Sequence, residues 1–206
     1  MSAKRLTVLV VLVVLALVSG AFGQINEVSL TSGLVFISTQ SVQSTGLPIH
    51  FGNASGSIVG SYGRLIMTRK IFGLYAEAPV AVVWKTDLNY YYDQVPKDIS
   101  SLFVTPSVRL NIFSSDSVTP WVSVGGGYGR FRESSDLNYY GSNPGPTGTN
   151  TGVVQFGAGL DVWFWHTWGA RFEARDFYSG VPDLNVDTGR SRQHNYYVGA
   201  GVTHRF

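Results

Sequence analysis

The chain has 206 residues, among them 24 Gly, 12 Phe, 11 Tyr and 5 Trp, and no Cys. That excludes a disulfide framework and any thiolate metal or redox centre. Basic residues number 15 against 13 acidic ones, but the surplus pair, Lys4 and Arg5, sits at the extreme N-terminus. The rest of the chain is neutral, so charge gives no argument for a nucleic-acid partner.

Lys4 and Arg5 precede an unbroken apolar run over residues 6–18, followed by small residues over 19–23. These are the three regions of a secretory signal peptide, and the run falls short of the ~20 residues a spanning helix needs. Ala21 and Gly23 fit a cut before Gln24, although cuts after Gly20 or Ala21 also fit. The expected division is a signal peptide over 1–23 and one domain over 24–206, with an uncleaved inner-membrane anchor as the alternative. No apolar stretch after residue 23 is long enough for a membrane helix, so any spanning structure must be a closed barrel of strands.

From Gln24 onward the apolar residues recur with period two, the pattern of strands with one apolar face. The first run, about 26–38, places Val28, Leu30, Leu34 and Phe36 together, and a polar loop is expected over 39–54. The second, about 55–68, sets Val59, Leu65 and Met67 against Tyr62 and Arg64 with ambiguous facing. After a turn at Arg69 and Lys70, the third run, about 72–85, alternates Leu74, Ala76, Ala78, Val80, Val82 and Trp84 with Tyr75, Glu77, Pro79, Ala81 and Val83.

A tyrosine-rich loop over 86–99 leads to the fourth run, about 100–113, with Val104, Pro106, Val108, Leu110 and Ile112 opposite Thr105, Ser107, Arg109 and Asn111. A turn over 114–119 precedes the fifth run, about 120–133, where Val122, Val124 and Tyr128 oppose Ser123, Gly125, Gly127 and Gly129. A Gly/Pro/Asn loop over 134–151 follows. The sixth run, about 152–165, alternates Val154, Phe156, Ala158, Leu160, Val162 and Phe164 with Gln155, Gly157, Gly159, Asp161 and Trp163. Beyond a turn at His166 and Thr167, the seventh run, about 168–178, puts Trp168, Ala170, Phe172 and Ala174 on one face and Arg171, Glu173 and Arg175 on the other. After a loop over 179–192, the last run places Tyr196, Val198, Ala200, Val202, His204 and Phe206 opposite Tyr197, Gly199, Gly201, Thr203 and Arg205.

About eight strands of ten to fourteen residues make the smallest closed membrane barrel. Connections alternate between long and short, the asymmetry of an outer-membrane barrel with extended extracellular loops, brief periplasmic turns and periplasmic termini. Arg64, Glu77, Arg109, Asp161, Arg171, Glu173 and Arg175 lie inside the strand runs. An Arg near the lipid midplane costs ~2–4 kcal/mol. These seven are therefore expected to face inward as a mutually paired polar network filling the lumen. Pro79 and Pro106 fall in mid-strand, where they predict bulges or shifted strand ends.

Three stretches carry a family resemblance. Residues 120–128, Pro-Trp-Val-Ser-Val-Gly-Gly-Gly-Tyr, and residues 169–177, Gly-Ala-Arg-Phe-Glu-Ala-Arg-Asp-Phe, resemble strands of the OmpA/OmpX-like outer-membrane β-barrel family. The final strand, ending on Phe206, resembles the C-terminal strand of such proteins. The resemblance implies an all-β, eight-stranded antiparallel up-and-down transmembrane barrel without cofactors, located in the Gram-negative outer membrane. It implies outer-membrane lipid and lipopolysaccharide as surroundings, and periplasmic chaperones and the barrel-assembly machinery as partners in biogenesis, the last reading Phe206. The expected architecture is a small barrel without a peptidoglycan-binding domain after it.

The loops repeat themselves. Asp87-Leu88-Asn89-Tyr90-Tyr91 and Asp136-Leu137-Asn138-Tyr139-Tyr140 are identical, which reads either as turn chemistry with an interfacial tyrosine belt or as a contact surface for an unknown ligand. Arg130 and Arg132, near the outer end of the fifth run, could meet lipopolysaccharide phosphates or simply be solvated at the rim. The four histidines, at 50, 166, 194 and 204, form no metal motif. The expected function is a non-enzymatic barrel acting in envelope integrity or surface interaction. The competing readings are a narrow passive pore, a lipid A-modifying enzyme built on His194, Ser191 and Asp187, and a soluble lipocalin-like binder with charges outward.

Overall fold

The structure, a computed structural model, describes residues 25–113 and 117–206. The expected signal peptide and part of the turn at 114–119 lie outside the described residues.

Among the described residues the fold is all-β. The strands are β1 (Asn26–Ile37), β2 (Gln40–Ser41), β3 (Pro48–Phe51), β4 (Ser55–Arg69), β5 (Phe72–Asn89), β6 (Asp98–Val104), β7 (Ser107–Ile112), β8 (Val118–Glu133), β9 (Thr149–Trp163), β10 (Trp168–Ser179) and β11 (Asn195–Arg205). β1 pairs antiparallel with β4 on one side and β11 on the other, so the first and last strands close the ring. The ring continues β4, β5, then β6 and β7 end to end, β8, β9, β10 and β11. It therefore has eight wall positions connected up and down. Closure satisfies every strand edge, which an open sheet of this length could not do.

The alternation read from the sequence has a definite sense. Leu30 is 55 % exposed and Phe172 51 %, whereas Arg109 and Arg171 are 0 % exposed. A water-soluble protein does the reverse, so the lipocalin-like alternative, with charges outward, is overturned. Gly159 shows how the wall accommodates a filled lumen: a Cβ there would lie 2.4 Å from Cζ2 of Trp121, whose indole packs across it.

The prolines do not produce bulges. Register is continuous through both: Val80 opposes Val104 and Glu77 opposes Ser107, while Val104 opposes Tyr128 and Ser107 opposes Gly125. Thr105 N–H still donates to Pro79 O at 3.1 Å, and Gly126 N–H to Pro106 O at 3.1 Å. Each proline thus forfeits one bond of a two-bond pair, and the two losses fall at adjacent points, which divides one wall strand into β6 and β7. The irregularities occur instead between Leu65 and Met67 and between Val83 and Thr86.

At one end the connections are short, as at residues 70–71 and 164–167; at the other they are long. The long ones are not open loops. β2 and β3 form within the segment expected to be polar loop, and β3 adds onto β5, which runs on to Asn89. The strands at this end therefore rise beyond the apolar belt into a folded cap.

Candidate functional site: a filled lumen under a folded cap

The lower lumen, toward the short turns, holds an ionic lattice. Glu27 on β1, Glu77 on β5, Asp161 on β9 and Glu173 on β10 face Arg109 on β7 and Arg171 and Arg175 on β10. Arg205 on β11 approaches Glu27 at 3.4 Å from the rim. Arg171 is the hub. Its Nε and one terminal nitrogen donate to the two Asp161 oxygens at 2.7 Å each, its other terminal nitrogen reaches Ser29 Oγ at 2.9 Å, and it pairs with Glu27. Arg109 reaches Glu27 at 2.6 Å, and Arg175 donates to Glu77 at 3.0 Å and Glu173 at 2.9 Å. Thr31 donates to Glu173 at 2.6 Å. The guanidinium groups of Arg109, Arg171 and Arg175 all lie over the ring of Trp121, 5.1–5.6 Å from its centroid. Four carboxylates balance four arginines, which makes a buried lattice of this density tolerable.

Above it lies an apolar plug. Phe103, Phe131 and Phe177 are fully buried, with Phe103 stacked on Phe177 at 5.0 Å and edge-on to Phe131 at 5.8 Å. Val35, Val59, Ala81, Val83, Val153 and Tyr197 complete the layer. The cap above has its own core: Val42, Ile49, Phe51, Leu88, Tyr90, Val95, Ile99 and Leu184. The two meet at Ile37.

The two copies of the loop repeat interlock. The Asp93 carboxylate accepts the backbone N–H groups of Tyr139 and Tyr140 at 2.8 and 2.9 Å, while Tyr139 Oη donates to Tyr90 O at 3.0 Å and Asn138 Nδ2 to the same carbonyl at 3.3 Å. Lys97 N–H donates to Asp136 O at 2.9 Å. This leaves Tyr91, Tyr92, Tyr139 and Tyr140 exposed on one crest.

Six of the seven charges expected in the lumen, Glu77, Arg109, Asp161, Arg171, Glu173 and Arg175, are brought together there. Arg64 is not. It sits in the outward phase of β4 with Ile58 and Tyr62, because Val59 and the serines at 55, 57 and 61 take the inward phase. The abundance of small residues in β4 hid that phase from a hydrophobicity argument. Among the loop candidates, Asp87, Asn89, Tyr91, Asp136, Tyr139 and Tyr140 are exposed and Asn138 is half-buried, but Tyr90 is buried in the cap core. Identical sequence thus has two fates, since only the first copy continues a strand.

His194 pairs with Asp176 at 2.7 Å and stacks between Tyr178 and Tyr196 on the outer wall, while Asp187 accepts the N–H of Gly189. The His194, Ser191 and Asp187 set is therefore not built as a triad. Glu27, Arg205 and Trp121 were missed as lattice members. Glu27 stands opposite Val28 and Leu30 in phase, but it precedes the first apolar residue of its run, so no flanking pattern marked it.

No family model matches the chain, and no curated protein matches its sequence. Among solved structures, the outer membrane protein OprG from Pseudomonas aeruginosa superposes with a TM-score of 0.56 at 11% identity, covering 89% of this chain and 95% of that one. The fold is that of the small outer-membrane β-barrels. Neisserial surface protein A (NspA) agrees, with a TM-score of 0.50 at 13% identity over 91% of this chain and all of that one. The barrel's eight wall positions and its up-and-down order are thus shared across chains with almost no common sequence.

Proposed function

We propose that the protein is a closed, non-enzymatic barrel of the Gram-negative outer membrane, with its short turns and both strand termini toward the periplasm and its cap on the cell surface. It serves envelope integrity and surface contact rather than transport, and the capped crest of tyrosines is the contact face. The observation that carries this reading is the inversion of burial combined with a lumen filled at two levels. An ion crossing the barrel would have to displace both a neutralised ionic lattice and a stacked phenylalanine layer. Tyrosine at an exposed crest supplies large, rigid, amphipathic contact area at low entropic cost.

The test is reconstitution in planar bilayers after confirming a boiling-dependent gel shift. Gel-shifted protein is expected to leave the bilayer silent. Regular ohmic steps from it would overturn the closed reading in favour of a narrow pore, and absence of the shift would overturn the membrane reading itself.

A further inference from the structure

Away from the lattice, the cap buries a carboxylate that no cation neutralises. Glu133, the last residue of β8, is 2 % exposed and takes part in no ion pair among the described residues. Its position follows from parity, since it shares the inward phase of Phe131 at the top of the wall. Thr149 opens β9 directly across from Phe131, and the loop after β10 folds over both strand ends, anchored by the Gly180 N–H on Thr151 Oγ1 at 2.8 Å. Three separate segments therefore meet at Glu133.

The two oxygens of Glu133 are unequally used. Oε1 accepts from Thr149 Oγ1 at 2.6 Å and from the backbone N–H of Asp183 at 3.2 Å, whereas Oε2 is buried and accepts nothing among the described residues. The same Asp183 N–H reaches Thr149 Oγ1 at 3.2 Å, so the Asp183 carboxylate hangs within one side-chain length of Glu133. One Asp183 oxygen accepts the Asn185 N–H at 3.0 Å, and the carboxylate enters no ion pair among the described residues. A buried carboxylate with a bare oxygen, next to a second carboxylate, is costly by desolvation and by like-charge repulsion. The surface cleft of about 400 Å³ that reaches Glu133 past Ser134, Ser135 and Thr147 opens a route to the site without supplying the missing charge. Of its two cations, Lys85 holds Asp98 at 2.8 Å, and Arg132 lies on the opposite, exposed face of β8.

We infer that Glu133 and Asp183 bind a calcium ion that pins the upper ends of β8 and β9 to the loop over 180–194. Two carboxylates balance a divalent charge, and donors that are all oxygen suit a hard cation. Ligands drawn from separate segments tolerate the irregular, partly hydrated shell of calcium better than the strict octahedron of magnesium. Thr149 is a positioning residue, because it holds Oε1 and so leaves Oε2 for the ion. The two ligands are 50 positions apart, which is why no calcium-loop spacing marks them in the chain. Asp183-Leu184-Asn185, a third copy of the start of the loop pentapeptide, thereby acquires a role of its own.

The experiment titrates chelator-treated barrel in detergent with calcium chloride by isothermal calorimetry, and follows limited proteolysis of the cap with and without calcium. The boiling-dependent gel shift is recorded on every sample. Wild type should take up a single calcium ion with a dissociation constant on the order of 10⁻⁴–10⁻³ M, the range of extracellular calcium modules, and calcium should slow cleavage within 180–194. Glu133→Gln and Asp183→Asn conserve shape and remove one ligand charge each, so each should weaken uptake about tenfold with the gel shift unchanged. Gel-shifted wild type that takes up no calcium, or variants that both bind as wild type does, would overturn the site. Magnesium bound as tightly would overturn the assignment to calcium, and uptake that leaves cleavage unchanged would overturn the pinning role.

Discussion

Replacing Arg171 with Met tests the lattice most directly, because it removes the hub while conserving an unbranched apolar stem. The structure fixes what is left behind. Glu27 keeps Arg109 at 2.6 Å and Arg205 at 3.4 Å, so it remains paired. Asp161 loses both 2.7 Å bonds and is left with the indole N–H of Trp121 at 3.3 Å and Arg109 at 4.0 Å. The variant therefore holds one fully buried, poorly compensated carboxylate. Breaking a buried pair from one side costs about 3–5 kcal/mol. At about 1.4 kcal/mol per factor of ten, that is two to nearly four orders of magnitude in the unfolding constant. The assay is urea unfolding in lipid vesicles, followed by tryptophan fluorescence and by loss of the boiling-dependent gel shift. Adding Asp161→Asn to Arg171→Met should recover part of the loss, since it removes the stranded charge. If Arg171→Met unfolds within about 0.5 kcal/mol of wild type, or if the second change worsens it, the lattice is solvated and the argument from desolvation fails.

Two further outcomes follow from close contacts elsewhere. Gly159→Ala brings a Cβ within 2.4 Å of Trp121 and 2.5 Å of Phe172 O, so the indole under the three guanidinium groups must shift. The expected loss is about 1–3 kcal/mol in the same unfolding assay, typical of overpacking, and an unchanged midpoint would show that Trp121 is loosely held. Asp93→Ala frees the backbone N–H groups of Tyr139 and Tyr140. It should speed amide exchange and proteolysis at the crest while the gel shift stays as in wild type, and a protected crest in the variant would show that the apolar cap core alone fixes the loops.

Much of this was legible in the chain because a closed barrel imposes period two over long runs. Residues 72–84, 168–179 and 195–205 show it without interruption, and their inward and outward residues follow from parity alone. Parity failed where side chains are too small to declare a face, as in β4, which misplaced Arg64. It was also silent ahead of a run's first apolar residue, which hid Glu27. The prolines were visible as an anomaly, yet their accommodation depends on each pointing its missing donor at a neighbour whose other bond survives, a property of the paired strands and not of either one.

The sequence by itself determined that the chain is all-β, that it has about eight wall strands with long connections at one end, and which face of most strands carries charge. Those are local properties, set by the alternation of side chains and by turn chemistry. Only the tertiary structure decided which acid meets which arginine, that a phenylalanine layer separates the lattice from the cap, and that one copy of a repeated pentapeptide buries the first of its two tyrosines while the other exposes both. Ring closure brings Glu27 and Arg205 together from the two ends of the domain, and contacts across a lumen between residues more than a hundred positions apart leave no periodic trace in the chain that makes them.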